Sequence, residues 1–148
     1  MSIKVLIVDD NAILRSGVEF LIGQTEDMEI VDQARDGYEG IEFAQKLKPD
    51  VVLMDISMPG LNGIDTARKI IRENSEVKIL ALSAYCNRRF IEDSLKAGIK
   101  GYVLKDGIAD ELVEAIRTIN AGQRYLSKEV AKLIAEEHIQ IDGSDIDK

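Results

Sequence analysis

Three short apolar runs constrain this chain more than any other feature: Ile3–Val8, Val51–Met54 and Val77–Leu82. They are aliphatic or β-branched with little alternation, as expected of strands buried on both faces of a parallel sheet covered by helices. Two further runs, Met28–Ala34 and Gly101–Leu104, bring the set to five. Glu29, Asp32 and Gln33 interrupt the first of these, which reads as an edge strand. Between the runs lie helical patterns. Leu14, Val18, Leu21 and Ile22 share one face at a 3.6-residue period, as do Ile64, Ala67 and Ile71, and Leu112, Ile116 and Ile119. Asn62-Gly63 and Asp110 are suitable start signals for the second and third. Asn87–Ala97 has only Phe90, Ile91 and Leu95 as sizeable apolar residues, so a helix there should be loosely held. Alternating strands and helices predict βαβ units with right-handed crossovers and a doubly wound α/β fold, helices on both faces of an open parallel sheet. Ligands in such folds sit beyond the carboxyl ends of the strands.

Composition removes several alternatives. A chain of 148 residues fits one ordinary domain with a little to spare, and needs no disulfide or structural metal to fold. One Cys excludes an internal disulfide and a cysteine zinc cluster, and one His excludes a multi-histidine metal centre. A net charge of −8, from 27 acidic against 19 basic residues, makes direct nucleic-acid binding by this chain unexpected. The N-terminal MSIKVLIVDD is too short in apolar residues for a signal peptide, and no run approaches the ~18 residues of a membrane span. A soluble, cytoplasmic protein without membrane contact is expected.

The residues just past the predicted strands carry the chemistry. Asp9-Asp10 follow the first, Asp55 the third, Ser83 the fourth and Lys105 the fifth. Each has an ordinary reading: Asp10 or Asn11 could cap the first helix, Ser83 the weak one, and Lys105 could be solvated. Together they say more. Three carboxylates from neighbouring strands repel one another without a cation. A hard divalent ion such as Mg²⁺ suits them, completed by water and a phosphate-type oxygen. A hydroxyl and an ammonium across the same crevice supply donors to an anion, and the set describes a phosphoryl-transfer site. No G-x-x-x-x-G-K-[ST] loop is present and no G-x-G-x-x-G follows the first strand, so ATP or dinucleotide binding has no support. The nucleophile is then a side chain, and a carboxylate beside Mg²⁺ can accept phosphoryl as an acyl phosphate.

At V-L-I-V-D-D (Val5–Asp10), D-V-V-L-M-D-I-S-M-P-G-L-N-G-I-D (Asp50–Asp65), L-A-L-S-A (Leu80–Ala84) and K-G-Y-V-L-K-D (Lys100–Asp106) the sequence resembles a response-regulator receiver domain. This is the phosphorylation module of two-component signalling, and the resemblance covers residues 3–122. It implies a flavodoxin-like, five-stranded parallel sheet in the order 2-1-3-4-5. It implies that Asp55 is phosphorylated by a sensor histidine kinase, and that Asp9, Asp10, Asp55 and the backbone carbonyl of Ser57 hold Mg²⁺. Lys105 would pair with the phosphoryl oxygens, Ser83 would swing in to bond one of them, and Tyr102 would be the switch aromatic that follows the hydroxyl. Self-catalysed phosphotransfer and autodephosphorylation are also implied, with Ser57 and Tyr85 placed to tune the access of water. Homodimerisation on phosphorylation is left open.

Departures matter too. Asp106 follows Lys105 where many receivers have proline, so a cis bond, costing about 2.5–4 kcal/mol without proline, is not assumed. The Lys-Asp pair, with E-L-V-E-A-I-R-T-I-N-A-G-Q-R-Y-L-S at Glu111–Ser127, resembles the NarL/FixJ-type subfamily. Its members normally carry a C-terminal helix-turn-helix that binds DNA, which implies transcription regulation as the output. Here residues 1–122 read as the receiver and 123–148 as an amphipathic helix and a polar, linker-like tail, without that domain. The helix would place Leu126, Val130, Leu133 and Ile134 on one face. Cys86 reads as a small, half-buried residue, His138 as solvated, and Arg88-Arg89 as a solvated face of the mobile helix. Two other readings stand beside this one. The first is a stand-alone or phosphorylation-independent receiver acting as a dimerisation module. The second is a Mg²⁺-dependent phosphatase with a carboxylate nucleophile, against which stands Ser57 where a second acid would be expected.

Overall fold

The computed structural model describes residues 2–57 and 62–137. The chain runs β1 (Ile3–Val8), α1 (Ala12–Gly23), β2 (Met28–Ala34), α2 (Gly37–Leu47), β3 (Val51–Asp55), α3 (Gly63–Glu73), β4 (Lys78–Ser83), α4 (Arg88–Lys96) and β5 (Gly101–Leu104). A single 3₁₀ turn (Lys105–Gly107) leads to α5 (Ile108–Asn120), β6 (Tyr125–Leu126) and α6 (Lys128–Glu137). All strand pairs are parallel, in the order β2-β1-β3-β4-β5-β6. This is the doubly wound, flavodoxin-like α/β arrangement.

The sheet has six strands where five are expected. The extra strand, β6, pairs Tyr125 with Gly101 and Leu126 with Tyr102. Two residues are too few for any periodicity to register, and Leu126 fits equally well at the head of the amphipathic face that follows. What makes the segment a strand is the open edge of β5, whose backbone groups need partners: Tyr125 N–H donates to the Lys100 carbonyl and Ser127 N–H to the Tyr102 carbonyl.

The sheet separates two apolar layers, and alternation along each strand feeds both. Leu6, Val8, Val52, Met54, Ile79, Ala81 and Tyr102 face one way, with Ala67 and Ile70 of α3, Ile91 and Leu95 of α4, and Val130 of α6. Val5, Ile7, Leu53, Leu80, Leu82 and Val103 face the other, with Val18 and Ile22 of α1 and Leu112, Ile116 and Ile119 of α5. Leu133 and Ile134 of α6 pack against the first layer. α4 buries only Ile91, Ser94 and Leu95, the thin face its sequence predicts. No peptide bond among the described residues is cis, so the Lys105–Asp106 bond is trans. His138 and the acidic tail lie outside the described residues. Among the described residues no helix is long and apolar enough to cross a membrane.

Candidate functional site

Parallel register brings the polar residues together. Val8 pairs with Met54, Asp55 with Leu82, and Ser83 with Leu104. Asp9, Asp55, Ser83 and Lys105 therefore meet at the carboxyl end of the sheet. Asp9 and Ser83 are fully buried, Asp55 nearly so, and Asp10 is exposed. One carboxylate oxygen from each of Asp9, Asp10 and Asp55 lies within 4.8 Å of the others.

The bonds within this group are uneven. Asp55 Oδ1 accepts from both the N–H (3.0 Å) and the hydroxyl (2.9 Å) of Ser57, which fixes the plane of the carboxylate. Asp55 Oδ2 faces Lys105 Nζ at 3.4 Å. Asp9 Oδ1 accepts from Asn11 N–H at 2.8 Å, whereas its buried Oδ2 has no hydrogen-bond partner and only the ion pair with Lys105 Nζ at 3.4 Å. Burial raises the Asp9 carboxyl above its ordinary pKa and the Asp55 charge adds to this, while the Asn11 N–H and Lys105 oppose it. An orphaned oxygen in a cluster of three carboxylates is a donor set that fits a hard, oxygen-liking cation such as Mg²⁺.

The capping alternatives resolve clearly. Asn11 caps α1, accepting from the N–H groups of Ile13 and Leu14, so Asp10 is free of that task. Asn87 caps α4 through Phe90 N–H, so Ser83 is not the cap. Lys105 is mostly buried rather than solvated, its side chain 23% exposed.

Ser83 is turned into its own loop. Its hydroxyl accepts from Tyr85 N–H (2.9 Å) and donates to the Tyr85 carbonyl (3.1 Å). The same carbonyl accepts the hydroxyl of Tyr102 at 2.9 Å. Tyr102 is fully buried, and burial pushes its phenol up to about 12. The Tyr85 ring, half exposed, stacks on Phe90 of α4 with centroids 5.4 Å apart. Tyr85 thus joins β4 and β5 through its carbonyl and the start of α4 through its ring. Cys86, in the same loop, is exposed rather than half-buried, because the segment from Ala84 to Arg89 stands clear of the sheet. Partial desolvation, with Glu129 and Asp106 nearby, raises its thiol pKa, so it carries no thiolate character.

Two residues of the site were not foreseen. Arg15 Nη1 donates to the Asp9 carbonyl at 2.6 Å, tying the first turn of α1 to the loop that presents Asp9 and Asp10. Gly63 sits on the backbone at the end of β3, where a Cβ would overlap the Asp55 carbonyl oxygen and Ile56 Cα. The Asn-Gly signal marks a helix start, but the contact behind it depends on how α3 meets β3.

Comparison with known proteins places these features in context. The family model for the response regulator receiver domain matches residues 5–117. The oxygen regulatory protein NreC of Staphylococcus carnosus is 34% identical over 143 residues, 96% of this chain and 66% of that protein. The response regulator GacA of Pseudomonas syringae pv. syringae is 39% identical over 138 residues, 93% of this chain and 64% of that protein. The chain thus spans just under two thirds of either relative. Among solved structures, a LuxR-family two-component response regulator from Aurantimonas sp. SI85-9A1 superposes with a TM-score of 0.89 at 34% identity, covering 95% of this chain and 100% of that one. The isolated REC domain of RcsB from Salmonella enterica serovar Typhimurium, with the phosphomimetic BeF₃⁻, gives 0.83 at 28% identity, covering 90% of this chain and 99% of that one.

Proposed function

The chain belongs to the response regulator receiver family, and from that premise we propose that it is a phosphorylation-driven switch in which Asp55 accepts a phosphoryl group from a sensor histidine kinase. The observation that carries this reading is the convergence of Asp55 Oδ2, the Lys105 ammonium and the orphaned Asp9 Oδ2 at one end of the sheet. Asp9, Asp10, Asp55 and the Ser57 carbonyl are the groups that would hold Mg²⁺. When bound, the ion supplies charge neutralisation of the carboxylates and of the incoming phosphoryl oxygens.

The protein's own groups divide the remaining work. Ser57 orients the Asp55 carboxylate so that Oδ2 is the oxygen presented to phosphorus. Lys105, already between Asp55 and Asp9, pairs with the phosphoryl oxygens. A phosphorylated carboxylate brings roughly −1.5 to −2 of charge and new acceptor oxygens, by analogy with other phosphorylated side chains. Ser83 reaches one of those oxygens by giving up its bond to the Tyr85 carbonyl, leaving that carbonyl to Tyr102 alone. The Tyr85 loop leads straight into thinly packed α4, so the population shifts towards an arrangement with α4 moved. Ser57 and Tyr85 flank the acyl phosphate and set the access of the water that hydrolyses it. The output we assign is transcription regulation through a DNA-binding domain outside this chain, in the cytoplasm.

Incubation with acetyl phosphate and Mg²⁺ tests the reading. Wild type should become labelled at Asp55, and Asp55→Asn should not. Equal labelling of both would overturn it.

A further inference from the structure

Ser127 lies outside the site, yet it is bonded to β5, the strand that carries Tyr102 and ends immediately before Lys105. It is fully buried, and each of its polar groups is engaged. Its N–H donates to the Tyr102 carbonyl at 3.0 Å. Its hydroxyl accepts from Leu104 N–H at 3.1 Å and donates to Glu111 Oε2 at 3.1 Å. Glu111 Oε1 in turn accepts the Tyr125 hydroxyl at 2.9 Å, so one carboxylate of α5 grips both ends of the β6 segment. The Ser127 carbonyl accepts from Ala131 N–H and so opens α6.

This arrangement has two consequences for β5. Leu104, whose N–H Ser127 holds, directly precedes Lys105, so the bond fixes the point from which the lysine reaches Asp9 and Asp55. Tyr102, whose carbonyl Ser127 holds, sends its hydroxyl to the Tyr85 carbonyl that Ser83 also uses. α6 returns the connection by a second route: Val130 is fully buried in the apolar layer that contains Tyr102 and, from α4, Ile91 and Leu95. Helix α6 therefore rests on the element expected to move and is anchored beside the residue expected to sense the phosphoryl group.

We propose that Ser127 and Glu111 are positioning residues for the phosphoryl site, holding Lys105 and Tyr102 through β5 and making the seating of α6 responsive to the state of Asp55. The inference rests on the reading of Asp55 as phosphoacceptor. Loss of the Ser127 hydroxyl leaves a buried N–H and a carboxylate oxygen each short of a partner, which loosens the end of β5. Lys105 has to be held in place to pair with an anion at Asp55, so a loosened end of β5 weakens binding there. Because coupling between two sites is reciprocal, occupancy must in turn alter the end of β5 and the α6 that follows it.

The test uses the full chain with beryllofluoride as phosphoryl mimic, with Mg²⁺ alone as a second ligand. Ser127→Ala should bind beryllofluoride about tenfold more weakly than wild type, the scale of one buried hydrogen bond. Its affinity for Mg²⁺ alone should stay within about twofold, because the carboxylates follow β1 or end β3, away from β5. In wild type, beryllofluoride should change amide hydrogen exchange across residues 128–136, and in Ser127→Ala that response should be lost. If Ser127→Ala does not fold, Glu111→Gln, which keeps the volume and weakens both hydroxyl bonds, should show the same selective loss. Beryllofluoride affinity equal to wild type, parallel loss of Mg²⁺ and beryllofluoride binding, or an unresponsive α6 in wild type overturns the inference. A wild type that takes up neither beryllofluoride nor phosphoryl overturns the Asp55 reading instead.

Discussion

The Lys105 ammonium stands 3.4 Å from Asp9 Oδ2, a buried oxygen to which nothing donates a hydrogen bond. One cation shared between two carboxylates, with a third nearby, leaves the cluster under-compensated. The Asp9 carboxyl is raised above its unfolded value, so the folded state holds that proton more tightly than the unfolded chain does. The resulting cost is absent below the unfolded pKa, grows as pH rises towards the folded pKa, and is complete above it. Asp9→Asn should therefore raise Tm by a few degrees at pH 7 in chelator and leave it nearly unchanged near pH 3, which thermal unfolding at the two pH values would show. A lower Tm for Asp9→Asn at pH 7 would mean that the pair with Lys105 outweighs the burial.

The same imbalance makes a divalent cation a stabiliser. Mg²⁺ should raise Tm in proportion to the logarithm of its concentration once that exceeds Kd, the added stability being about 2.7 kcal/mol at a hundred times Kd. Asp10→Asn should flatten the response, since Asp10 is the exposed member of the cluster. Thermal unfolding against MgCl₂, with NaCl at matched ionic strength as control, separates binding from screening.

Gly63 gives a prediction of a different kind. Its missing side chain lets α3 rest on the Asp55 and Ile56 backbone, and a methyl there overlaps main-chain atoms that cannot rotate aside. Gly63→Ala should cost about 1–3 kcal/mol in denaturant unfolding. It should also slow acetyl phosphate labelling by displacing the Asp55 backbone, although it adds no charge and removes no hydrogen bond.

Tyr102→Phe removes one of the two hydroxyls on the Tyr85 carbonyl. Ser83 is then its sole side-chain donor, and the resting arrangement gains relative to the one in which Ser83 has left. Stability should fall by about 1 kcal/mol, and beryllofluoride affinity should fall severalfold, as calorimetric titration would measure. Unchanged affinity would remove Tyr102 from the switch.

Asp9, Asp10, Asp55, Ser83 and Lys105 were legible in the sequence for one reason: each follows an apolar run, and parallel strands in register bring such residues to one end. Local rules alone could not resolve the rest. β6 escaped because two residues have no period. The roles of Arg15 and Gly63 depend on how α1 and α3 meet the strands before them. Ser127 looks like any helix-capping serine until α5 brings Glu111 beside it. Cys86 stands exposed because its whole loop leaves the sheet, which no single-residue tendency registers.

The two margins of the sheet have a further consequence. An unpaired strand edge is a template on which another molecule's strand can grow, and native sheets blunt such edges. β6 ends one margin after two residues and turns at once into α6. β2 forms the other, with Glu29 and Asp32 exposed along it. The largely aliphatic strands β1 and β3 lie inside. The movement proposed for β4, α4 and β5 would then take place between guarded borders, away from either open edge.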